Sequence, residues 1–484
     1  MKKLLGSVLA VFVVFSACSA KKTTTIDTAA MPEIDHWAQM AEVEKMINAP
    51  VFKDAVYNIL DFGAKEGVED YGNKAISLAI EKCNAEGGGM VLVPAGVFYS
   101  GPITLLSNVN LHVAEGATLR FSLNPEDYLP QVRSVWEGWD LYNLRPLINA
   151  YGQENIGITG SGTLDGQAGS DNWWIWKGKA EFGWTPGTVS QEWNGTTENG
   201  GRNRLSRMEE VRVPVEQRVM TIEDRLRPAF IEPFECKNVL IEGLTVIRAP
   251  FWLLHPVKCE NVTVRGMKLQ SLGPNNDGCD PESSRYVLIE NCLFDTGDDC
   301  IAIKSGKNND GRRRGMPSEY FIIRNNEMRA GHGGVVLGSE ISGDVRNVWV
   351  ENCKMDSPDL DRVIRVKSNP IRGGVLENFY IRNIEVGQAA EAIFRVEMKY
   401  EKVTEGPHMP VVRNMILENV NSNQSRYAVF IDGFDDKPAQ VTNIVFKNCH
   451  FNGVKSAQVN RITGAADIVF DNVRINGELF DFTK

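Results

Sequence analysis

A short motif recurs along most of this 484-residue chain and constrains its fold more than any other feature. Each copy starts with Asn or an aromatic residue, continues with alternating apolar residues, and ends with a charged residue and Asn or Gly. Two copies are NVLIEG at positions 238–243 and NVTVRG at 261–266, and others begin at Tyr286, Tyr320, Asn347, Asn378, Asn414, Asn443 and Asp467. The copies lie about 23 to 36 residues apart, which is typical of solenoid repeats.

The alternation within each copy predicts a short strand with one buried face. Because no long helical pattern interrupts the repeat, we expect an all-β fold, a single-stranded right-handed parallel β-helix that forms one domain over residues 51–484. Upstream, Ile76, Ala79, Ile80 and Cys83 fall on one helical face. We expect this helix to cap the N-terminal end of the stack, since an open end would expose apolar residues.

The first residues have the features of an export signal. Lys2 and Lys3 precede an apolar run over residues 4–15, which is too short to span a membrane. The sequence FSAC at 15–18 resembles a bacterial lipobox, so we expect a lipoprotein signal peptide over 1–17 and a lipid on Cys18. Residues 18–50 would form a tether and an N-terminal extension. The predicted location is the outer membrane, on either face, and the alternative is a plain secretory signal.

Charge and cysteine usage exclude several classes of partner. The net charge of −10 argues against nucleic acid, and it leaves the predicted lipid anchor as the sole membrane contact. Cys292, Cys353 and Cys449 occupy the same place in the repeat, which favours stacked free thiols over a disulfide framework. No CxxC spacing is present, so a structural zinc site is not expected. We expect a monomer.

Carboxylates recur at the spacing of neighbouring solenoid turns. Asp277 lies about one turn before the adjacent pair Asp298 and Asp299. Such a set suits glycoside hydrolysis, in which one acid protonates the leaving oxygen and a base holds water, with the carboxyl groups roughly 6.5–9.5 Å apart. The alternative is that Asp277 and Asp298 are ordinary turn residues.

Other polar residues surround these acids in the sequence. His332 stands between two glycines and could reach an acid across one turn. Arg365 and Lys367 alternate along a strand, so both should face one side and bind an anion such as a carboxylate. We also expect substrate contacts from Asn275, from Lys304 and from Arg313, which belongs to the basic run at 312–314. The alternative for that run is a solvated loop.

These motifs resemble the polygalacturonases of glycoside hydrolase family 28. The resemblance runs from DFGA at 61–64, through GATL at 116–119, to the last repeats. It implies metal-free, cofactor-free, inverting hydrolysis of α-1,4-galacturonosidic bonds. Asp298 would be the general acid, and Asp277 and Asp299 would activate the water.

The resemblance also carries over to His332, Arg365 and Lys367, and it implies that Tyr400 closes the substrate site. In two places the chain departs from the family pattern. Asn276 replaces the usual Thr, which hints at different substrate contacts, and Val366 replaces the usual Ile.

The predicted activity is hydrolysis of pectin or galacturonide oligomers from a chain end. An insertion at residues 166–231 would block one end of the cleft, and it carries Trp173, Trp174, Trp176, Trp184 and Trp193. These rings could stack on sugars, or any one of them could simply pack the loop. Three alternatives remain: a rhamnogalacturonan-directed hydrolase of the same family, a calcium-dependent pectate lyase, and a non-catalytic sugar-binding lipoprotein.

Overall fold

The fold is described from a computed structural model, which covers residues 35–69, 71–456 and 460–480. The predicted signal peptide, Cys18 and the first part of the tether lie outside these residues. Among the described residues, no helix combines the length and the apolar character needed to cross a membrane.

Three stacks of parallel strands form the body of the molecule, as predicted for a β-helix. Strands of the first stack pair in chain order. They are Val56–Asn58, Gly89–Val93, Val109–Val113, Glu154–Gly160, Lys237–Glu242, Glu260–Arg265, Arg285–Glu290, Ser318–Arg324, Val345–Glu351, Val375–Gln388, Val411–Gln424, Val441–Lys447 and Ala465–Asp471.

The second stack follows the first within each turn, and Val375–Gln388 and Val411–Gln424 are long enough to run through both. Its other strands are Gly96–Ser100, Ala117–Phe121, Thr163–Asp165, Thr245–Ile247, Lys268–Ser271, Leu293–Thr296, Glu327–Met328, Lys354–Met355, His450–Phe451 and Arg474–Ile475. Glu478–Leu479 pairs with the last of these in the antiparallel sense.

The third stack includes the strand that carries Arg365 and Lys367. Its strands are Ile103–Thr104, Ile148–Tyr151, Ile231–Phe234, Ile301–Ile303, Val335–Leu337, Arg362–Lys367, Ala392–Glu397, Tyr427–Asp432 and Asn460–Thr463. Single bridges through Leu254 and Cys279 connect its two halves. The inward side chains of all three stacks form one continuous apolar core.

Shorter elements decorate this body. A hairpin pairs Val132–Trp136 with Trp139–Asn143. The α-helices are His36–Glu44, Lys74–Ala85, Gly201–Glu210 and Asn308–Arg314, and the 3-10 helices are Ile59–Phe62, Pro125–Tyr128, Trp173–Lys177, Ala180–Phe182, Val215–Gln217, Ile222–Asp224 and Tyr400–Lys402.

The asparagines that open the repeats explain why the turns stack in register. Asn347, Asn378, Asn414 and Asn443 all adopt left-handed backbone angles, which Asn tolerates better than most residues. Their amides form a ladder in which each Nδ2 donates to the Oδ1 one turn earlier, over 2.9–3.2 Å. Tyr286 and Tyr320 replace two members of this series and stack their rings instead.

The predicted capping helix is confirmed. Lys74–Ala85 packs against the first two strands of the first stack, with Ile76, Ala79, Ile80 and Cys83 buried beneath it. The eight described cysteines, Cys83 among them, are buried and free, which agrees with the expectation of unpaired thiols.

Sequence analysis did not predict the helix His36–Glu44. It lies across the outside of the first stack, where Met40 packs with Trp349 and Tyr380. The indole of Trp349 donates to the carbonyl of His36 over 2.8 Å. The chain is therefore fixed to the body from about this helix onward.

Candidate active site

Three carboxylates meet where the second stack turns into the third. Asp277 comes from one turn, and Asp298 and Asp299 come from the next. One oxygen of each acid lies within 4.8 Å of the others. The spacing of about 4.8 Å between neighbouring strands brings Asp277 beside the pair on the next turn.

Close backbone contact at Gly297 sets the direction of the two adjacent acids. A Cβ atom at this position would lie 2.3 Å from the carbonyl oxygen of Gly273 on the preceding turn. Only glycine therefore allows the turn to pass this close. Asp299 is fully buried, whereas Asp298 remains partly open to solvent.

The two cations predicted to share a face both contact Asp299. Lys367 donates from Nζ to Oδ2 over 2.6 Å, and Nη1 of Arg365 lies 3.6 Å from Oδ1. Arg365 also pairs with Glu397 over 2.9 Å. The predicted alternation is thus confirmed, but both side chains hold a carboxylate of the protein.

His332 approaches Asp298 from the next turn. Its Nδ1 lies 3.0 Å from Oδ1 of Asp298, while the ring remains half exposed. The hydrogen bond and the charge of Asp298 raise the pKa of His332. Burial opposes ionisation of Asp298, yet the hydrogen bond and the positive charge of His332 lower its pKa. The proton of this pair therefore resides on the imidazole in the free protein.

Asp277 has the opposite electrostatic environment. Burial, followed by the charges of Asp280 and Asp298, raises the pKa of Asp277 well above its usual range. Asp280, which sequence analysis did not single out, is also buried and has its pKa raised to about 7. Lys304 lies 3.9 Å from Asp277 and 3.6 Å from Asp280, so it partly balances their charge.

The same acids form a poor calcium site. Calcium takes six to eight oxygen ligands. Here the ammonium of Lys367 already occupies one side of Asp299, and the ammonium of Lys304 lies beside Asp277. These cations supply the counter-charge that a metal would bring, which argues against the calcium-dependent lyase.

A small pocket opens over two of the three acids, Asp277 and Asp298. Its volume is about 150 Å³, below the roughly 300–1,000 Å³ of sites for drug-sized ligands. It therefore offers room for one sugar ring rather than for a chain. The lining residues are Glu137, Lys177, Arg202, Trp252, Asn275, Asp277, Asp298, Lys304, Lys307, Ser339, Glu340, Lys367, Tyr400 and Glu401.

A closed ring of six ion pairs surrounds part of this pocket, and we call it the ionic ring. In order it joins Arg202 to Glu137 at 3.0 Å, Glu137 to Lys307 at 3.3 Å, Lys307 to Glu340 at 3.9 Å, Glu340 to Arg372 at 4.0 Å, Arg372 to Glu401 at 3.1 Å, and Glu401 to Arg202 at 3.9 Å. These residues come from the hairpin, the insertion and loops of the later turns. The ionic ring therefore ties the pocket wall together.

Most predicted site residues lie at this pocket. Tyr400 lines it and stands 5.4 Å from the ammonium of Lys367, measured to the ring centre. Asn275 also lines it, and its Oδ1 accepts a hydrogen bond from the buried Arg227 over 2.9 Å. The Asn275 amide is thus fixed in place by a residue that the sequence did not reveal.

Arg313 was predicted to bind substrate, and the structure places it elsewhere. The run at 312–314 ends the helix Asn308–Arg314 instead of forming a loop. Arg313 pairs with Asp140 over 3.1 Å and Asp310 over 3.0 Å, outside the pocket. The alternative of a solvated charge run fits Arg313, which is about half exposed, but not Arg314, which is buried and paired with Glu282.

The tryptophans of the insertion do not line the pocket either. Trp173 and Trp176 are buried in the main core, and Trp174 donates to the carbonyl of Ala249. Trp184 and Trp193 pack edge to face beside a different cavity. The tryptophan at the pocket is Trp252, whose ring centre lies 4.5 Å from the ammonium of Lys304. The insertion contributes Lys177 and Arg202 instead.

The departure at Asn276 has a structural explanation. Asn276 is fully buried, and its Oδ1 accepts from Ser271 and from the amide of Gly273. Its Nδ2 donates to the carbonyls of Ala249 and Phe251. The amide of Asn276 is thus engaged within the protein, where it holds the turn that presents Asp277.

Fold and site together define a glycoside hydrolase built on a parallel β-helix. The sequence profile of glycosyl hydrolases family 28 matches residues 217–467. The structure is similar to that of a hyperthermoactive exopolygalacturonase from Thermotoga maritima, with 40% identity, a TM-score of 0.86, and coverage of 92% of this chain and 97% of that one. The chain belongs to glycosyl hydrolases family 28.

The relatives of this chain are named for both modes of attack. An exo-poly-α-D-galacturonosidase of Dickeya chrysanthemi is 27% identical over 456 residues, which cover 88% of this chain and 73% of the relative. An endo-polygalacturonase of Pectobacterium carotovorum subsp. carotovorum is 27% identical over 406 residues, covering 80% and 86%. Sequence similarity alone therefore does not decide between chain-end and internal cleavage, and the shape of the pocket must be considered.

Proposed function

We propose that this protein hydrolyses α-1,4-linked galacturonan from a chain end, releasing one galacturonate at a time. The observation that carries the proposal is the small walled pocket directly over Asp277 and Asp298. A cleft for internal cleavage must admit sugars on both sides of the scissile bond. In this proposal the ionic ring closes one side, since its members Glu137, Arg202 and Glu401 line the pocket.

Asp298 is the general acid, and His332 supplies its proton. The pair carries one proton between Nδ1 and Oδ1, which are 3.0 Å apart. As negative charge develops on the leaving glycosidic oxygen, Asp298 passes this proton on, and His332 becomes neutral. The half-exposed imidazole then regains a proton from solvent.

Asp299 is the main base for the attacking water. Its Oδ2 accepts from Lys367, while Oδ1 has no hydrogen-bond partner among the described residues and can accept from a water. Asp277 also has an unpartnered oxygen, Oδ1, within the same cluster. Because the raised pKa of Asp277 favours its protonated form, we assign it to orienting the water more than to removing its proton.

Product analysis on polygalacturonate tests this proposal. Chain-end cleavage predicts galacturonate as the first and dominant product, while the viscosity of the polymer falls slowly. An early ladder of mixed oligomers would refute the chain-end mode. The same assay on a rhamnogalacturonan backbone tests the alternative substrate, which predicts release from that polymer and little from polygalacturonate.

We further propose that the enzyme is exported and anchored by a lipid on Cys18. The support is the lipobox-like FSAC at 15–18 after a short apolar run. Labelling cells with a radioactive fatty acid should mark the wild-type protein and leave Cys18→Ser unlabelled. Equal labelling of both proteins would refute the anchor.

A further inference from the structure

Lys177 occupies a fixed position at the edge of the pocket. It is the last residue of the 3-10 helix Trp173–Lys177, inside the insertion that interrupts the repeat. Trp173 and Trp176 anchor this helix, since both rings are buried and pack edge to face at 4.7 Å. Two buried tryptophans therefore hold the lysine at the pocket, where it is one of the lining residues.

Lys177 differs from the other cations of the pocket in having no carboxylate within ion-pair distance, although Glu137 and Glu192 act on its charge from farther away. Lys304, Lys307, Lys367 and Arg202 each lie within 4.0 Å of a carboxylate. Among the residues that the structure describes, no carboxylate lies within 4.0 Å of the Lys177 ammonium, and no side-chain hydrogen bond from it is formed. The pocket thus contains one cation that is available for an incoming anion.

The surroundings of Lys177 favour an anion in this place. Burial lowers the pKa of Lys177, since a desolvated ammonium is less stable than one in water. An arriving carboxylate would restore the lost stabilisation through a charge-assisted hydrogen bond. The paired cations attract an incoming anion less strongly, because each already forms an ion pair with a carboxylate of the protein.

We propose that Lys177 binds the carboxylate of the chain-terminal uronic acid and so determines specificity for an acidic end sugar. This inference rests on the proposed function and adds a residue outside the matched family profile, which begins at residue 217. The ligand class is a uronate, whose ring fits the pocket and whose single negative charge matches one ammonium. A neutral terminal sugar would leave Lys177 unpaired and would bind more weakly.

Binding in an inactive background gives the sharpest test. In Asp298→Asn, the Kd for digalacturonate is measured by calorimetry with and without Lys177→Met, a change that keeps the apolar stem. Loss of one charge-assisted hydrogen bond predicts binding about 10- to 100-fold weaker. Digalacturonate with a methyl-esterified terminal carboxyl should bind equally to both proteins, because the ester carries no charge for Lys177 to recognise.

Lys179→Met is the matched control. Lys179 lies two residues away, is exposed, and pairs with Glu181 over 3.3 Å. It should leave both affinities unchanged. The inference is overturned if Lys177→Met binds the free acid as well as the parent does, or weakens the acid and the ester equally. The proposed function fails separately, if the wild-type enzyme releases a ladder of oligomers while the Kd result for Lys177 stands.

Discussion

His332 and Asp298 come from neighbouring turns of the β-helix and face each other across 3.0 Å, from Nδ1 to Oδ1. The hydrogen bond to Asp298, followed by the charge of that carboxylate, raises the pKa of His332 above its ordinary value of about 6.5. The pair can donate a proton only while it carries one. We therefore expect kcat/KM to be constant at pH values below this raised pKa and to fall as the pH rises through it.

Replacing the imidazole should move the pH at which kcat/KM falls, the basic limb of the pH profile. In His332→Gln the proton must stay on a carboxyl, whose ordinary pKa of about 3.9 is lower. The limb should therefore shift to lower pH, and kcat/KM at neutral pH should fall about 100-fold. The exposed His450 provides the control, as His450→Gln should keep the wild-type profile. An unchanged limb in His332→Gln would remove the imidazole from the proton path.

Asp298→Asn tests the acid itself. The amide keeps the size of the side chain but has no acidic proton, so kcat should fall about 10²- to 10⁴-fold with a much smaller change in KM. Steady-state kinetics on trigalacturonate measure both constants. Asp295→Asn alters a nearby acid outside the pocket and should behave as wild type. If Asp298→Asn kept more than a tenth of the wild-type kcat, another group would have to be the acid.

Arg202→Ala should open the pocket wall. Arg202 bridges Glu137 and Glu401, and its 3.9 Å link to Glu401 joins the insertion to a loop of a later turn. Without this bridge, we expect disaccharides and longer products beside galacturonate, and release of the single sugar about tenfold slower, because the chain end is positioned less well. Chromatography of early products measures both effects.

Arg207→Ala is the comparison for that experiment, because Arg207 lies exposed on the same helix and contacts Asn199 instead of the pocket. Its product pattern should match that of the wild type. If Arg202→Ala also released only the single sugar at the normal rate, the ionic ring would not be the barrier.

Asn378→Ala tests the ladder that keeps the turns in register. Asn378 has a φ of +60° and shares hydrogen bonds with Asn347 and Asn414. Alanine loses both bonds and fits the left-handed region poorly, so the free energy of unfolding should drop by about 2 kcal/mol. Asn378→Gly should cost less, since glycine accepts this backbone. Denaturant unfolding gives the values.

Asn423→Ala serves as the reference for the ladder, because Asn423 is exposed and lies outside the left-handed region. It should change stability by less than about 0.5 kcal/mol. Equal losses at positions 378 and 423 would mean that the ladder adds nothing beyond a surface asparagine.

Much of the fold could be predicted because the repeat is local. Alternating apolar residues identify each strand, although the left-handed backbone of the leading asparagine appears only in the structure. Stacking identical units then places Asp277 beside Asp298 and Asp299, and His332 one turn beyond. The same reasoning gave Arg365 and Lys367 a common face, although it did not reveal that Asp299 binds both.

The pocket wall could not be predicted in this way, since its contacts join distant and irregular segments. Arg313 looked available for substrate, but its partner Asp140 lies in a hairpin 173 residues earlier. Trp173 and Trp176 were candidates for stacking on sugar rings, yet both are buried in the apolar core. Glu137, Arg202 and Glu401 carry no motif, and only the folded chain brings them together.

The most direct test of the whole account is proton NMR of trigalacturonate during the first turnovers. A water activated by Asp299 and a bond protonated by Asp298 predict β-configured galacturonate as the first sugar to appear, beside digalacturonate, with slower mutarotation to the α form. Initial release of the α anomer would contradict the single-displacement mechanism. Signals of an unsaturated uronate would contradict hydrolysis itself.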